Sequence, residues 1–280
     1  MKRIRNFLSI IISVVLVFAS GALVLADSDS RINEENSNAK ELLYCLRGQD
    51  APEELLTELD DLDVDVSANT VLKVVRMRTQ NRNAVNEITA ELGPTVLMIT
   101  NCTGRNVTTD IFMAIDTNGN FTSVLPEDGD LTVPRDGGTS YLPPDGSNLV
   151  KVTAVFNRVY ESDDYLHWFP FYQPIGLLFT YYANGINSLT AAEVYYIAEG
   201  VEYTYPGFVM LNGGDLYDHV IYKSITNPVN NMIYHALNEY RTDRAMDVNS
   251  GGPFVGQTCT YYFTIDGRTI DGTVRIFDND

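Results

Sequence analysis

The chain has 280 residues and an acidic composition, with 37 aspartates and glutamates against 19 lysines and arginines. The formal net charge of −18 at pH 7 repels phosphate backbones and anionic lipid headgroups, so it argues against binding to nucleic acid or to a membrane surface. Cations, basic proteins and neutral glycans remain compatible partners. Acidity by itself also keeps a protein soluble, which is the simpler interpretation.

The N-terminus has the layout of a secretory signal, with Lys2, Arg3 and Arg5 before an apolar run at 7–25. We predict cleavage near Ala26, which would take the formal charge to −21 because it removes three cations and no acid. An uncleaved anchor is the alternative, since about 20 apolar residues can cross the hydrocarbon layer. Either way the rest of the chain is exported, so we expect an extracytoplasmic location and, after cleavage, no membrane association.

Residues 27–64 are predicted to form a polar spacer followed by two short helices. The spacing of leucines at 38–46 predicts the first helix. The second is predicted from Asp50, a good N-cap, from Pro52 in the first turn and from leucines at helical spacing after it.

From residue 65 the period of apolar residues changes from helical to alternating, which predicts a β domain, or the first half of one, over 65–160. Turns rich in Gly, Pro and Asp recur at intervals of roughly 8 to 12 residues, the pattern of a β-sandwich. The clearest hairpin signal is Asn118-Gly119 between two apolar runs. A polar break at 161–164 is the predicted boundary with the next segment.

Residues 165–280 are predicted to form an aromatic-rich β domain or the second half of one large sandwich. Turns are expected at Glu199-Gly200 and at Asp266-Gly267, and the second of these closes a C-terminal hairpin.

One helix is expected to interrupt this segment, with Asn227 as its cap, Pro228 in the first turn and apolar residues at helical spacing up to Tyr240. The predicted fold class is therefore mostly β: an immunoglobulin-like sandwich, one large or two in tandem, with a short N-terminal helical region.

Aromatic side chains of the second half are the candidate ligand-binding residues. Flat rings with a polar tip suit sugar faces and peptide chains. Tyrosine also favours half-buried strand positions, so a packing role is the alternative. The candidates are Trp168, Tyr195, Tyr203 and Tyr205.

A calcium loop is a weaker candidate site. Asp116, Asn118, Asn120 and Glu127 place oxygen atoms at the first, third, fifth and twelfth positions of such a loop. Phe121 occupies the sixth position, where the loop requires glycine, so a plain hairpin turn is the favoured interpretation. Calcium is the one cofactor considered, and no other is predicted.

No motif marks a catalytic centre, since neither Gly-x-Ser-x-Gly nor His-Glu-x-x-His occurs. Glu193, Glu199 and Glu202 are the first candidates for the paired carboxylates of a hydrolase, although glutamates on the wet face of a strand explain them equally well.

Three cysteines do not define a disulfide framework: Cys45, Cys102 and Cys259 are widely spaced, and their odd number leaves at least one thiol over. A thiol enzyme using Cys102 or Cys259 with a histidine is a minor alternative, because both lie in strand patterns where a buried, inert thiol is expected.

The sequence therefore predicts a secreted, non-catalytic binding or interaction module with a glycan or protein ligand. The first alternative is a secreted hydrolase acting on an extracellular polymer. The second is a structural envelope protein.

Overall fold

The computed structural model describes residues 42–80, 90–125, 142, 146–159, 171–184, 189–237, 242–247 and 256–277. The apolar N-terminal run and the boundary predicted at 161–164 lie outside these residues. The described part of the protein is mostly β, with 66% of its residues in strands. No helix in the described ranges is long and apolar enough to span a membrane.

Thirteen strands and one α-helix are described, and every strand pair is antiparallel. The helix is α1 (Glu53–Asp61). The strands are β1 (Leu42–Arg47), β2 (Val71–Gln80), β3 (Ala90–Thr103), β4 (Asn106–Ile115), β5 (Phe121–Thr122), β6 (Asn148–Val159), β7 (Phe171–Tyr182), β8 (Leu189–Thr204), β9 (Leu216–Thr226), β10 (Ile233–Leu237), β11 (Arg244–Asp247), β12 (Gly256–Ile265) and β13 (Arg268–Phe277).

All thirteen strands belong to one hydrogen-bonded sheet, in the order β1-β2-β13-β12-β8-β11-β7-β6-β4-β3, with β9 on β8, β10 on β7 and β5 on β4. β2 pairs along its length with β3 but meets β13 at one residue pair, Arg78 with Thr273. The described sheet is therefore not closed by a continuous ladder. The β6–β7 ladder joins strands from both sides of residues 161–164.

The inner faces of the strands enclose one large apolar core. In β6, Val152, Ala154 and Phe156 are buried while the residues between them are partly exposed, as the alternation of a strand requires. Strands β2–β4, β6–β9 and β11–β13 all contribute to this core. Across it, the ring of Phe179 in β7 lies 6.1 Å from the ring of Phe263 in β12.

A second core lies on the outer face of β2, β3 and β4, where α1 packs. Leu55 and Leu59 of α1 are fully buried there, beside Leu97 and Phe112. The helix predicted after Asp50 is thus confirmed, because its leucines at helical spacing cover an apolar sheet face. Its predicted cap is wrong: Pro52 is the N-cap residue, and Asp50 ends a short 3-10 helix before it.

The predicted helix at 38–46 is wrong. Leu42–Arg47 forms β1, which pairs with β2 from Leu42 opposite Val75 to Arg47 opposite Val71. A helix of nine residues is marginal on its own. Pairing with an exposed strand edge and burial of Leu46 stabilise the extended form instead.

The predicted turn at Glu199-Gly200 and the predicted helix from Asn227 are also wrong. Gly200 is buried inside β8, opposite Tyr217 of β9, so partners on both sides hold the chain extended. Residues 233–237 form β10, which pairs with β7. Ile233 and Leu237 are spaced as on one face of a helix, which favoured the helix prediction, but both side chains are exposed and cover no core.

The two hairpin turns predicted from Gly are confirmed. Asp266 and Gly267 have φ of 49° and 78°, and they join β12 to β13 with Ile265 opposite Arg268. Gly119, with φ of 79°, lies in the turn between β4 and β5.

Asp110, on the outer face of β4, gives a pH-dependent prediction. Burial raises the pKa of its carboxyl, and the hydrogen bond from Thr153 and the charge of Lys151 oppose that rise only in part. The stability linked to this group is fully present below its unfolded pKa of 3.8 and is lost as the pH rises through the higher folded pKa. Ionised Asp110 therefore costs stability at neutral pH.

We expect Asp110→Asn to raise the melting temperature at pH 7 and to lose that advantage as the pH falls below about 4. Thermal unfolding at a series of pH values checks this, with the exposed Asp65→Asn as the control that shows no such gain. A lower melting temperature for Asp110→Asn at pH 7 would contradict the assignment.

Candidate functional site

The outer face of β9, β8, β12 and β13 carries an open group of aromatic and hydroxyl side chains. In β8 the even-numbered Val194, Tyr196 and Ala198 point into the core, so Tyr195 points outward. The strand register places Tyr195 opposite Tyr222 of β9.

Tyr195, Tyr222 and Tyr262 are hereafter the tyrosine face. The ring centroids of Tyr195 and Tyr222 are 4.6 Å apart with an interplanar angle of 33°, and those of Tyr195 and Tyr262 are 5.8 Å apart in an edge-on arrangement. Tyr222 is 44% exposed. Because the rings come from three adjacent strands, they span about 10 Å across the sheet.

Polar side chains border the tyrosine face. Tyr262 lies between Glu193 and Asp271 in the register, and Tyr195 Oη donates a hydrogen bond to Glu193 Oε2 at 3.3 Å. Hydroxyl pairs continue the face across β12 and β13, with Thr260 and Thr273 at 3.0 Å. The arrangement combines ring surfaces with acceptors and donors for hydroxyl groups.

Tyr195 is held in its neutral form. Burial, the charge of Glu193 and the neighbouring Tyr222 raise the pKa of its phenol to about 12. At physiological pH its hydroxyl therefore keeps the proton that it donates to Glu193.

The structure does not bring all the predicted aromatic residues together. Tyr203 and Tyr205 pack in a separate cluster with Phe171 and Phe208, in which the Phe171 and Tyr203 centroids are 4.9 Å apart. Tyr205 Oη also accepts a hydrogen bond from Arg105 Nη1 at 2.9 Å. Trp168 lies outside the described residues.

Tyr203 and Tyr195 are eight residues apart along β8, or roughly 26 Å in an extended strand. Tyr222 and Tyr262 were missed from the sequence, because only the β8–β9 and β8–β12 registers show that they adjoin Tyr195.

The three candidate glutamates do not form one catalytic pair. Glu193 and Glu199 are six residues apart in β8, roughly 20 Å, which exceeds the about 5–10 Å that a glycosidase needs. Glu202 is buried and paired with Arg244 Nη1 at 2.5 Å. Glu199 lies directly opposite Asp218, and burial together with that neighbouring charge raises the pKa of Glu199.

Three of the candidate calcium residues, Asp116, Asn118 and Asn120, lie in a turn in which hydrogen bonds within the chain occupy the Asp116 carboxylate. The backbone N–H groups of Asn118 and Asn120 each donate to Asp116 Oδ1 at 2.8 Å. Burial raises the pKa of Asp116, but the hydrogen bonds from Asn120 and Asn118 outweigh it and lower that pKa overall. Glu127 lies outside the described residues, within which no three His, Cys, Asp or Glu side chains form a group that could hold a metal ion.

We expect Asp116→Ala to destabilise the protein by about 1–3 kcal/mol, because two backbone donors lose a charged acceptor. Chemical denaturation measures this cost.

Calcium binding is tested separately by the melting temperature of the protein with and without a chelator. An unchanged melting temperature would contradict a calcium site, and a lower melting temperature with the chelator would support one.

The cysteines are free in the structure, and Cys259 is fully buried. Burial raises the pKa of the Cys259 thiol, so it has the inert character expected from the sequence. Cys102 is exposed, which corrects the expectation that it is buried. It lies at the end of β3, opposite Val107, where the ladder approaches the turn.

Comparison with known protein families, curated proteins and solved structures finds no match to this chain. The functional argument therefore rests on the geometry of the tyrosine face.

Proposed function

We propose that the protein is a secreted, non-catalytic binding module that holds an uncharged glycan chain on the tyrosine face. The observation that carries this proposal is the row of Tyr222, Tyr195 and Tyr262 on three adjacent strands, in which Tyr222 is exposed and the other two are partly exposed. Aromatic rings with polar tips offer apolar area to the faces of sugar rings. An immunoglobulin-like sandwich, one large or two in tandem, is the fold that belongs to this proposal.

The charge of the protein favours a neutral ligand. A net charge of −18 repels acidic polysaccharides. Glu193 and Asp271 flank Tyr262, and their carboxylates are acceptors that sugar hydroxyl groups can satisfy.

Titration with a panel of neutral and acidic oligosaccharides tests the proposal. We expect a neutral member to bind, and Tyr222→Ala to weaken it by at least about tenfold, since burying an aromatic side chain contributes about 1.5–3 kcal/mol and 1.4 kcal/mol corresponds to tenfold. Tyr217→Ala is the matched control, because Tyr217 lies on the opposite face of β9 with a similar exposure of 41%. Equal effects of the two substitutions, or binding only to acidic sugars, would contradict the proposal.

Export to an extracytoplasmic compartment is part of the same proposal and is supported by the basic head and the apolar run at 7–25. Cell fractionation tests it. Recovery of the full-length chain from the cytosol, with its N-terminal run intact, would contradict it.

A hydrolase is the second candidate function, and the pairing of Glu199 with Asp218 favours it. Facing carboxyls, one with a raised pKa, are the groups that a glycosidase uses as acid and as nucleophile or base. Release of new reducing ends from a polysaccharide, abolished by Glu199→Gln, would favour this function over simple binding.

A further inference from the structure

Strand β9 and its surroundings expose an unusual amount of apolar surface. Ten large hydrophobic side chains of the described residues are exposed, and all of them lie between residues 209 and 237. They are Val209, Met210, Leu216, Tyr217, Val220, Tyr222, Val229, Met232, Ile233 and Leu237. A concentration of this kind marks an interaction surface more often than scattered exposure does.

Within the described residues, β9 is also an edge strand of the sheet. In the described part of the chain, β9 forms a ladder of backbone hydrogen bonds with one strand, β8, over Leu216–Thr226 and without a register shift. Natural edge strands are usually kept from further pairing by proline, by bulges, by short length or by charged side chains, of which β9 carries Asp218 and Lys223. β9 has eleven residues and contains no proline or glycine.

The register shows which backbone groups face outward. The N–H of Asn227 donates a hydrogen bond to the carbonyl of Thr190 at 2.8 Å. Because the pairing alternates, the odd-numbered residues of β9 direct their backbone N–H and C=O groups at β8. The even-numbered Asp218, Val220 and Tyr222 therefore direct their N–H and C=O groups at the free edge. Val220 is 48% exposed, so this edge is accessible.

The acidic residues near the free edge of β9 favour a basic binding partner. The edge is surrounded mainly by acidic residues: Asp215 and Asp218 in and before β9, and Glu193 and Glu199 in the adjacent β8. Within β9 itself, Lys223 is the lysine that offsets them. A second copy of this chain would bring the same acids and a net charge of −18 to the interface. A segment that carries basic residues is attracted instead.

We propose that the free edge of β9 binds an extended, basic segment of another protein as an added β-strand. Backbone hydrogen bonds to the even-numbered residues hold the segment, its apolar side chains cover Val220 and Leu216, and its cations face the acids of β8 and β9. This inference does not depend on glycan binding, because it uses the strand edge rather than the tyrosine rings.

Fluorescence anisotropy with synthetic peptides tests the proposal on the purified protein. The probe is a labelled octapeptide with the repeat Val-Thr-Lys-Thr, called the Lys-Val peptide, which places its valines and its lysines on the same face of the added strand. The comparison peptides are the corresponding Glu-Val octapeptide and a Lys-Val octapeptide N-methylated at alternate residues, which lacks the edge-facing N–H groups. We expect the Lys-Val peptide to bind, and the other two to bind at least tenfold more weakly.

Val220→Pro is the matching change in the protein, because it removes an N–H that faces the free edge and leaves the β8 ladder intact. Val220→Thr keeps that N–H and is the control. We expect Val220→Pro, folded by circular dichroism, to lose peptide binding at least tenfold and Val220→Thr to keep it.

Three results would overturn the proposal: equal binding of the Lys-Val and N-methylated peptides, equal binding of the Lys-Val and Glu-Val peptides, or unchanged binding by folded Val220→Pro. Dimerisation that Val220→Pro abolishes would assign the edge to a second copy and would also overturn it. If Val220→Pro does not fold, the peptide comparison decides alone.

Discussion

Replacing Arg244 with alanine is expected to destabilise the protein by about 3–5 kcal/mol, because it removes a cation that balances the charge of a buried carboxylate. Glu202 is 3% exposed, and its Oε2 lies 2.5 Å from Arg244 Nη1. The pair joins β8 to β11, where Gln173 of β7 also donates to the carbonyl of Arg244 at 2.7 Å. Loss of the cation therefore affects the place where β7, β11 and β8 meet.

Chemical denaturation of Arg244→Ala and of the double variant Glu202→Leu with Arg244→Met checks this result. The double variant removes both charges and keeps apolar volume, so we expect it to recover most of the lost stability. A loss below about 1 kcal/mol for Arg244→Ala, the range of an exposed ion pair, would contradict the burial of this charge.

Phe179→Ala is expected to cost about 3–5 kcal/mol, the range for removing a buried phenylalanine from a core. Its side chain is fully buried, and its ring centroid lies 6.2 Å from that of Tyr234 in β10 and 6.1 Å from that of Phe263 in β12. The ring therefore contacts strands on both sides of the core. Its removal leaves a cavity that neither neighbour can fill without a shift of its strand.

Phe208→Ala is the matched control, since Phe208 is only partly buried in the small cluster with Tyr203 and Tyr205. We expect it to cost less than Phe179→Ala in equilibrium unfolding. Equal costs would mean that the inner faces of β7 and β12 do not share one core.

Local patterns predicted most of the strands and both glycine hairpins. Alternating buried residues mark β6 because mainly one of its faces lies on a core, whereas β2 and β4 carry buried apolar residues on both faces because each lies between the two cores. Asp266-Gly267 supplies the two positive φ angles that its turn needs. The mostly β class follows from these signals. Pairing between distant strands, such as β12 with β8, depends on contacts that no local window contains.

The incorrect predictions of two helices and one turn share one physical cause, since each local signal was overridden by a strand partner. Leu46 is buried by pairing with β2, and Gly200 is held extended by β9. In β10, Ile233 and Leu237 are exposed at an edge, so their spacing did not mark a buried helical face.

The candidate site was predictable only in part. Tyr195 was identified from its aromatic neighbourhood in the sequence. Tyr222 and Tyr262 lie 27 and 67 residues further along the chain, and the register alone brings them to Tyr195. Tyr203 and Tyr205 are close in sequence to Tyr195, but they pack in another cluster.

The most direct measurement of ligand binding at the tyrosine face is NMR of the protein with isotope-labelled tyrosine rings, titrated with the neutral oligosaccharide that binds. We predict that the ring signals of Tyr195, Tyr222 and Tyr262 shift, while those of the fully buried Tyr196 and Tyr261 stay in place. Shifts confined to other tyrosines, with these three unchanged at saturation, would contradict the account.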